Sequence, residues 1–459
     1  MNVRLHGKVD VGGNILEVYS GANSNGFHSG PGPDILARAA DIRKPTKPLP
    51  QDITDDNKPL GPFPNDWKVM AKSVDFLDNY DPTDGPFFLY SSIIIPHPPF
   101  FTNQTWLDKV NATFMEQDEL GVPVWDPRDS MHPYDTYMSQ SKNVWTDFNR
   151  STIQKVRGTY FAMNAMADYM HGQVLDALER NGFGNNTIIM MVADHGEMAM
   201  SARQVWKNSH REPSLRVPMM IAGPDIPRGL IIRNATSLLD VFPTLLEWAG
   251  ADPPEWLQGY SLMDVLREAG VAGEEWNAMH PRPNHQHQQH HSSSTGSIHL
   301  GGSIDSLLQQ PGRNPGSGTQ GGHPLTARHN GPRPPYVLSQ YSSNMGNDGA
   351  FCLYWPPYKL IDFGHTFPWF NESSYSAQLF NVVEDPWEHH DLAAQQPAQV
   401  KVMQAAMATL IDTQAEDATR KATDRSLFET FIAAPAGSDE ALRERMSKSY
   451  KGFDDADWD

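Results

Sequence analysis

The chain has 459 residues, with 36 Lys plus Arg against 55 Asp plus Glu and a formal net charge of −19 at pH 7. This excess of acidic residues excludes a protein whose main surface binds nucleic acid, so an anionic ligand would need a local basic pocket. The length predicts about three domains, or one large α/β domain with a smaller partner. The single cysteine, Cys352, excludes intrachain disulfides and cysteine-built metal sites.

Targeting signals are weak in this sequence. The first residues contain no apolar core of a signal peptide, and no stretch reaches the roughly 18 apolar residues of a membrane span. Asn-x-Ser/Thr triplets accept glycans only in the secretory pathway, and their presence favours a lumenal location. Such triplets begin at Asn103, Asn111, Asn149, Asn185, Asn234 and Asn371.

The first 65 residues are rich in Gly, Pro, Asn and Asp, which is typical of loops and short elements. After them, hydrophobic periodicity predicts regular helices and strands. Helices are predicted over 67–80, 152–180, 238–249 and 398–413. Strands are predicted over 86–95, 187–193, 217–222, 336–343, 351–355 and 358–363.

The alternation of strands and helices predicts an α/β fold with a mainly parallel sheet flanked by helices, in a domain covering residues 1–280. The continuous apolar runs at 187–193 and 217–222 are typical of parallel strands covered on both faces. A His/Gln/Ser/Gly/Pro-rich stretch at 281–334 is interpreted as a disordered polar insertion, with metal capture by its histidines as the less favoured alternative. Residues 335–459 are predicted to form a small α+β subdomain of antiparallel strands and a helix.

Polar side chains that follow a strand are the candidates for chemistry, because ligands bind at the carboxyl ends of parallel strands. Asp194-His195-Gly196-Glu197 directly follows the strand at 187–193, and its Asp and His offer one oxygen and one nitrogen to a divalent ion. The alternative interpretation is an ordinary strand-end turn with an Asp cap. Lys207, further along, is placed to hold an anion, although a lysine taken alone is typically a solvated surface residue.

Two histidines are further candidates. His97 lies between prolines after the strand at 86–95, and this rigid setting would hold its imidazole in place. A structural role for His97 is equally compatible with the sequence. His132 lies in a loop without regular context, and Lys8, in Gly7-Lys8-Val9-Asp10, is a weak signal by itself.

Taken together and in this order, these segments resemble the sulfatases of the alkaline phosphatase superfamily. The likeness covers most of the chain outside the insertion. The segments that carry it are Gly7-Lys8, Pro96-His97-Pro98-Pro99-Phe100, Asp194-His195-Gly196-Glu197, Ser214-Leu215-Arg216-Val217-Pro218, 239–250, 257–262, 358–361 and 379–386.

The resemblance implies an alkaline-phosphatase-like fold and a sulfuric ester hydrolase. Its substrate would be an aryl sulfate or a sulfated carbohydrate, such as 2-sulfated uronate in glycosaminoglycans. The family uses a calcium ion and a formylglycine nucleophile. Asp194 and His195 then resemble calcium ligands, and Lys8 and Lys207 resemble sulfate-binding lysines. His97 and His132 are alternative candidates for the histidine near the ester oxygen, which binds it or protonates the leaving group. A lysosomal or secreted location is also implied.

The sequence departs from the family pattern at two points. Asp10 stands where many sulfatases have a histidine. The Cys-x-Pro-Ser-Arg segment, whose cysteine becomes formylglycine, lies upstream of Gly-Lys in the family, and Cys352 is followed by Leu-Tyr-Trp instead. We therefore expect the chain as printed to be inactive. Two alternatives follow: a non-catalytic protein that binds sulfated glycans, and a phosphodiester or phosphonate hydrolase of the same superfamily.

Overall fold

The fold is taken from a computed structural model of the chain. The structure describes residues 2–7, 63–141, 144–145, 147–207, 209–224, 226, 228–254, 256–268, 333–342, 349–364 and 375–419. Lys8, Asp10, Asn371 and all but the last two residues of the predicted insertion lie outside these ranges.

The first layer of the fold is a parallel strand pair covered by a helix. Strand β1 (Asn2–Gly7), which periodicity did not reveal, pairs in parallel with β2 (Phe87–Ser92), so that Gly7 lies opposite Ser92. Helix α1 (Pro64–Asp78) packs on both strands. The Ser73 hydroxyl on α1 lies 3.1 Å from the His6 Nδ1 of β1 and donates to the Ser91 hydroxyl of β2. The Ser73 hydroxyl therefore connects the three elements.

The long helix α5 (Arg150–Arg180) contributes half of the buried residues of the main apolar core. It begins at Asn149, whose side chain accepts a hydrogen bond from the Thr152 amide at 2.8 Å, which satisfies one of the unpaired amides of the first turn. It ends before Gly182, which adopts a φ of 77°. The buried stripe includes Ile153, Val156 and Met170, as the helical periodicity predicts.

Strands β3 (Ile189–Val192) and β4 (Met219–Ala222) occupy the two predicted apolar runs, but they pair antiparallel. The prediction of parallel strands covered on both faces is therefore wrong for this pair. Val192 is 38% exposed and Met220 56% exposed, so neither run is fully covered by the described residues. The described part of the connection between them contains a 3₁₀ turn (Ser201–Arg203) and a short α-helix, α6 (Glu212–Leu215), rather than the long crossover helix that usually joins neighbouring parallel strands.

The C-terminal part contains a four-stranded antiparallel sheet in the order β5-β6-β7-β8, as predicted for three of its strands. Alternate residues point to opposite faces. Ala350, Cys352 and Phe363 pack with Tyr134 and Met138, while Phe351, Leu353 and Leu360 pack with Met403 and Met407. These strands are β5 (Val337–Ser342), β6 (Gly349–Trp355), β7 (Tyr358–Phe363) and β8 (Gln378–Asn381).

The helices that complete the described fold are mostly short. The predicted helix at 238–249 is a 3₁₀ turn followed by α7, and the predicted helix at 398–413 ends earlier, at Ala408. No described helix combines the length and apolar content required to span a bilayer. The remaining helices are α2 (Gln104–Leu107), α3 (Ala112–Met115), α4 (Pro133–Ser141), α7 (Val241–Trp248) and α8 (Pro397–Ala408).

The end of the predicted insertion packs against the α/β part. Arg333 forms an ion pair with Asp240 at 2.6 Å and donates to the carbonyls of Tyr260 and Ser261, both at 3.0 Å. The Arg333 side chain is only 10% exposed. Arg333, two residues before the predicted boundary of the C-terminal subdomain, is therefore part of the packed fold.

Candidate functional site

The candidate site lies where the chain leaves β2 and β3. Asp66, near the start of α1, accepts hydrogen bonds from the amides of Ile94 and Ile95, each at 3.0 Å. These bonds hold the turn after β2, and the His97 amide donates to the Ile94 carbonyl at 3.0 Å. Burial raises the pKa of the Asp66 carboxyl, against the opposing effect of these two backbone amides. His97 therefore projects from an anchored backbone.

His97 and Lys207 are in direct contact. The Lys207 Nζ lies 2.6 Å from the His97 Nε2, although 110 residues separate them in sequence. The His97 Nδ1 lies 2.7 Å from the Pro98 carbonyl oxygen, which can only accept, so Nδ1 carries the proton. Nε2 of the neutral ring then accepts from the Lys207 ammonium. The pair is a neutral imidazole that orients a cation.

Asp194 and His195 lie beside this pair. The His195 ring meets the His97 ring edge-on, with 5.8 Å between centroids. The His195 Nδ1 donates to the Gly196 carbonyl at 2.8 Å, which leaves the lone pair on Nε2. That Nε2 is 3.7 Å from the Asp194 Oδ2, and the Asp194 side chain is 70% exposed. One carboxylate and one imidazole nitrogen thus face the same region next to His97.

This donor set is only partly suited to calcium. Calcium prefers six to eight oxygen ligands, whereas Asp194 and His195 supply one carboxylate and one nitrogen. Among the residues that the structure describes, no group of three or more His, Cys, Asp or Glu side chains could hold a metal ion. The described residues therefore do not make a complete calcium site.

Lys8 and His132 were also candidates from sequence. Lys8 lies outside the described residues, but the preceding Gly7 pairs with Ser92, so β1 and β2 end at the same edge of the fold. His132 has a different set of neighbours from His97. Its ring stacks on Phe363 at 5.2 Å, and its Nε2 lies 3.0 Å from the Ser376 carbonyl. Burial lowers the pKa of His132 despite the nearby Asp135 carboxylate.

Cys352 is a core residue rather than a nucleophile. It lies in β6, is 1% exposed, and packs in the cluster that joins the C-terminal sheet to Tyr134 and Met138. Burial raises the pKa of its thiol to about 12, so the reactive thiolate is essentially absent near neutral pH. This agrees with the lack of Pro and Arg after Cys352 in the sequence.

The segment that leads from the Asp194-His195 turn to Lys207 is compact and buried. We call residues 197–206 the Glu197 loop. Met198, Met200 and Val205 in this loop are fully buried, and its backbone closes on itself, with the Met198 amide bonded to the Trp206 carbonyl at 2.8 Å. Buried loops are uncommon because their backbone groups need partners, and here side chains from other elements supply them.

Arg157 is the main external support of this loop, and sequence reasoning missed it. From α5 it donates to the carbonyls of Leu120 and Ala199, at 2.7 and 2.9 Å, and to the Ser201 hydroxyl at 3.2 Å. Burial lowers the pKa of Arg157 to about 10. The available signal was its position four residues after Ile153, which places a charged side chain on the apolar face of a helix.

A second charged cluster lies directly after Lys207. Arg211 forms an ion pair with Asp135 at 2.5 Å, and both side chains are at least nine-tenths buried. Burial is the largest single effect and by itself would raise the pKa of the Asp135 carboxyl, but the Arg211 guanidinium, His132 and the Gln378 side chain together lower the pKa. Asp135 also accepts from Gln204 at 2.9 Å, which connects this cluster to the Glu197 loop.

Lys359 extends the cluster into the C-terminal sheet. Its Nζ lies 2.9 Å from Glu212 and contacts Glu388, and it donates to the His210 carbonyl at 2.7 Å. The Lys359 side chain is fully buried, and burial would lower its pKa, but the two carboxylates outweigh this effect and raise it. We call Asp135, Arg211, Glu212, Lys359 and Glu388 the buried ion cluster. Its two cations contact all three carboxylates, and the formal charge of the five side chains is −1.

The family of the chain follows from comparison with known proteins. Residues 18–251, just over half of the chain, match the family model described as Sulfatase. The chain therefore belongs to the sulfatase family, and the Asp194, His195, Lys207 and His97 contacts lie inside the matched region.

Curated relatives carry the name arylsulfatase K. The Bos taurus protein is 35% identical over 230 residues, which cover 47% of this chain and 42% of that protein. The Xenopus laevis protein is 27% identical over 361 residues, which cover 76% of this chain and 56% of that protein. The chain thus spans about half of the length of the curated relatives that it matches.

Solved structures support the fold. The phosphonate monoester hydrolase of Agrobacterium radiobacter aligns with a TM-score of 0.54 and 15% identity, covering 89% of this chain and 77% of that one. The phosphonate monoester hydrolase from Silicibacter pomeroyi aligns with a TM-score of 0.52 and 16% identity, over 81% and 67% of the two chains. At these identities the likeness concerns the fold alone, and it confirms the predicted α/β class.

Proposed function

We propose that this chain forms part of a sulfuric ester hydrolase that resembles arylsulfatase K and removes sulfate from sulfated sugars. The observation that carries the proposal is the contact of Lys207 with His97 beside Asp194 and His195, within the region that matches the sulfatase family. The similarity to relatives named arylsulfatase K supports 2-sulfated uronate residues of glycosaminoglycans as the substrate class.

In this proposal Lys207 binds a sulfate oxygen. Its ammonium is a fixed positive charge at the end of a buried loop, and a preorganised charge of this kind stabilises negative charge that develops in a transition state. His97 orients the ammonium through its Nε2 lone pair, while its protonated Nδ1 donates to the Pro98 carbonyl. His97 is thereby favoured over His132 as the histidine near the ester oxygen.

Two further components belong to the proposal on the strength of the family resemblance. A calcium ion, with Asp194 and His195 among its ligands, would neutralise charge on the sulfate, and a formylglycine would provide the attacking oxygen. Lys8 is proposed as the second sulfate-binding lysine, because β1 ends beside β2 immediately before it.

The test is an assay of two forms of the protein with added calcium. One form is the chain as printed, and the other is extended with its upstream coding sequence and checked by mass spectrometry for formylglycine. The substrates are an aryl sulfate and a disaccharide that contains 2-sulfated uronate. We expect turnover by the extended form only. Turnover by the printed chain would overturn the assignment of the nucleophile.

A non-catalytic protein that binds sulfated glycans is the second candidate, and the buried state of Cys352 favours it. The same assay separates the two candidates. An extended form that contains formylglycine but has no turnover, and yet retains a 2-sulfated disaccharide at micromolar concentration, would establish binding without hydrolysis.

We propose a lysosomal or secreted location, which the exposure of the glycosylation triplets supports. Asn111, Asn149, Asn185 and Asn234 are exposed, so a glycan at these positions would point into solvent. Asn103 is 3% exposed, and a glycan there would conflict with the fold. Expression in a secretory host, followed by glycosidase treatment and peptide mass spectrometry, should identify glycans on the exposed sites and none on Asn103.

A further inference from the structure

The Glu197 loop is the most strained segment that the structure describes. Non-glycine residues with positive φ are uncommon because the side chain crowds the backbone. In the Glu197 loop, Ala199, Met200, Ala202, Arg203 and Trp206 adopt φ values between 41° and 77°. The described residues contain eight such positions, and five of them lie in this loop. Strain of this kind persists only where surrounding contacts hold the backbone in place.

One carboxylate holds both ends of the loop. The Glu197 Oε1 accepts a hydrogen bond from the Ala199 amide at 2.9 Å and a short one from the Trp206 amide. Both amides belong to residues with positive φ, and Glu197 itself is 8% exposed. The Glu197 carboxylate thus connects the residues that follow the Asp194-His195 turn to Trp206, the residue that precedes Lys207.

The backbone at the start of the Glu197 loop is held by hydrogen bonds that do not involve the Glu197 side chain. The Gly196 amide donates to the Ser214 carbonyl and the Glu197 amide to the Pro213 carbonyl, both at 2.8 Å. A side chain at position 196 would collide with the Pro213 carbonyl oxygen, which lies 2.1 Å from the position of an added Cβ. The backbone at Glu197 is therefore a firm base from which its carboxylate reaches Trp206.

We infer that Glu197 is a positioning residue, whose carboxylate locks the strained loop so that the Lys207 ammonium is held against His97. The inference rests on the proposed role of Lys207 as the sulfate-binding cation. Glu197 would not contact the substrate itself. Its effect passes through the Trp206 amide to the next residue, Lys207, whose Nζ must meet the His97 Nε2 at 2.6 Å.

The first test measures the position of Lys207 without using catalysis. The full chain is treated with a limiting amount of acetic anhydride, and acetylation of Lys207 is compared with that of the exposed Lys68 by peptide mass spectrometry. Glu197→Ala should raise the relative rate at Lys207 at least about threefold, because the loop opens locally. Glu197→Gln keeps an oxygen that accepts both amide protons, and it should match wild type.

A matched control separates positioning from general loss of stability. Leu178→Ala removes a buried side chain from a different apolar cluster, with Leu77 and Ala177, and should lower the melting temperature without changing Lys207 acetylation. If Glu197→Ala does not fold, Glu197→Asp replaces it, since the shorter side chain cannot reach both amides. Unchanged Lys207 acetylation in Glu197→Ala or Glu197→Asp, or an equal rise in Leu178→Ala, would overturn the inference.

The second test uses aryl sulfate hydrolysis by the extended, formylglycine-containing form. Glu197→Ala should lower kcat/KM by at least about tenfold, and Glu197→Gln should restore most of it, because preorganisation of Lys207 is lost and then recovered. If the wild-type extended form has no activity while acetylation responds as expected, the proposed function fails and the positioning role stands. If activity is present and Glu197→Ala retains it fully, the positioning role fails alone.

Discussion

Residues 194–212 contribute to two charged clusters that differ in almost every physical respect. Near Asp194, the charged side chains are accessible, with Asp194 70% and His195 26% exposed. In the buried ion cluster, Lys359 and Glu388 are fully buried, and every carboxylate faces a cation. The sequence singled out Asp194 and His195 by their place after a strand, whereas the members of the buried ion cluster were only scattered charges. The difference teaches that exposure and close pairing with opposite charges, rather than charge itself, separate a candidate site from a structural support.

The two clusters are also connected, both along the chain and by a side-chain hydrogen bond. Lys207 lies four residues before Arg211, and Gln204 of the Glu197 loop donates to Asp135 of the buried ion cluster. The buried ion cluster joins this loop to strand β7 through Lys359. We therefore expect the C-terminal sheet to stabilise the loop that carries the candidate site. Mutations in the buried ion cluster should mainly lower stability, and mutations near Asp194 should mainly lower activity.

The largest expected effect is the loss of the buried cation. Lys359→Met leaves Glu212 and Glu388 buried without their partner and should lower the free energy of unfolding by about 3–5 kcal/mol. Urea denaturation at pH 7 measures this change. A companion variant with Lys359→Met, Glu212→Gln and Glu388→Gln should recover much of the loss. A decrease of less than about 1 kcal/mol in Lys359→Met would contradict the view that this cluster is structural.

The next effect concerns the accessible cluster. In the extended form, Lys207→Ala should lower kcat/KM for an aryl sulfate by about 10²- to 10³-fold, because a preorganised charge is removed from the sulfate-binding position. Its melting temperature should change little, since Lys207 is partly exposed. His132→Ala serves as the comparison, and we expect it to retain more activity than His97→Ala. The reverse order would favour His132 as the histidine near the ester oxygen.

The pH dependence of stability tests the environment of His210, a buried histidine next to the buried ion cluster. His210 is 3% exposed, and neither ring nitrogen has a hydrogen-bond partner among the described residues. Burial, together with the Lys359 charge, lowers the pKa of His210 from 6.5 to about 3. The unfolded chain takes up a proton below pH 6.5 and the folded chain does not. The stability contributed by neutral His210 is therefore complete above pH 6.5 and declines as the pH falls towards 3.

The corresponding experiment compares wild type with His210→Phe. Between pH 7 and pH 5 the His210 contribution should fall by about 2 kcal/mol, and the variant should lack this part of the decline. Denaturation curves at the two pH values give the difference directly. Parallel declines in the two proteins would mean that His210 accepts a proton in the folded state.

The smallest effect is expected at an exposed ion pair that belongs to neither cluster. Arg267 is 60% exposed and pairs with Glu247 at 2.7 Å and Asp264 at 3.2 Å. Arg267→Ala should change the free energy of unfolding by less than about 1 kcal/mol, and added salt should reduce the difference further. A loss comparable to that of Lys359→Met would show that burial is not what distinguishes the two kinds of ion pair.

Several elements could be predicted from the sequence because their signals are local. The helix from Arg150 to Arg180 has a continuous apolar stripe, an Asn cap and a terminal Gly, and each acts within a few residues. The strands around Pro356-Pro357 likewise alternate between two apolar faces. Asp194, His195, Lys207 and His97 were singled out through their place after strands and a family resemblance, and their roles stay predictions.

Tertiary structure decided what local patterns cannot encode. The antiparallel pairing of β3 with β4 depends on the path of the chain between them, since an apolar run fits either direction. The sequence left His97 and His132 as equal candidates, and only the fold brings His97 within 2.6 Å of Lys207. The support by Glu197 and Arg157, and the pairing of Lys359 with Glu212 and Glu388, arise between residues far apart in the chain. Burial and charge compensation depend on contacts between parts of the chain that are distant in sequence. The sequence therefore gives the chemical character of each side chain but not its environment.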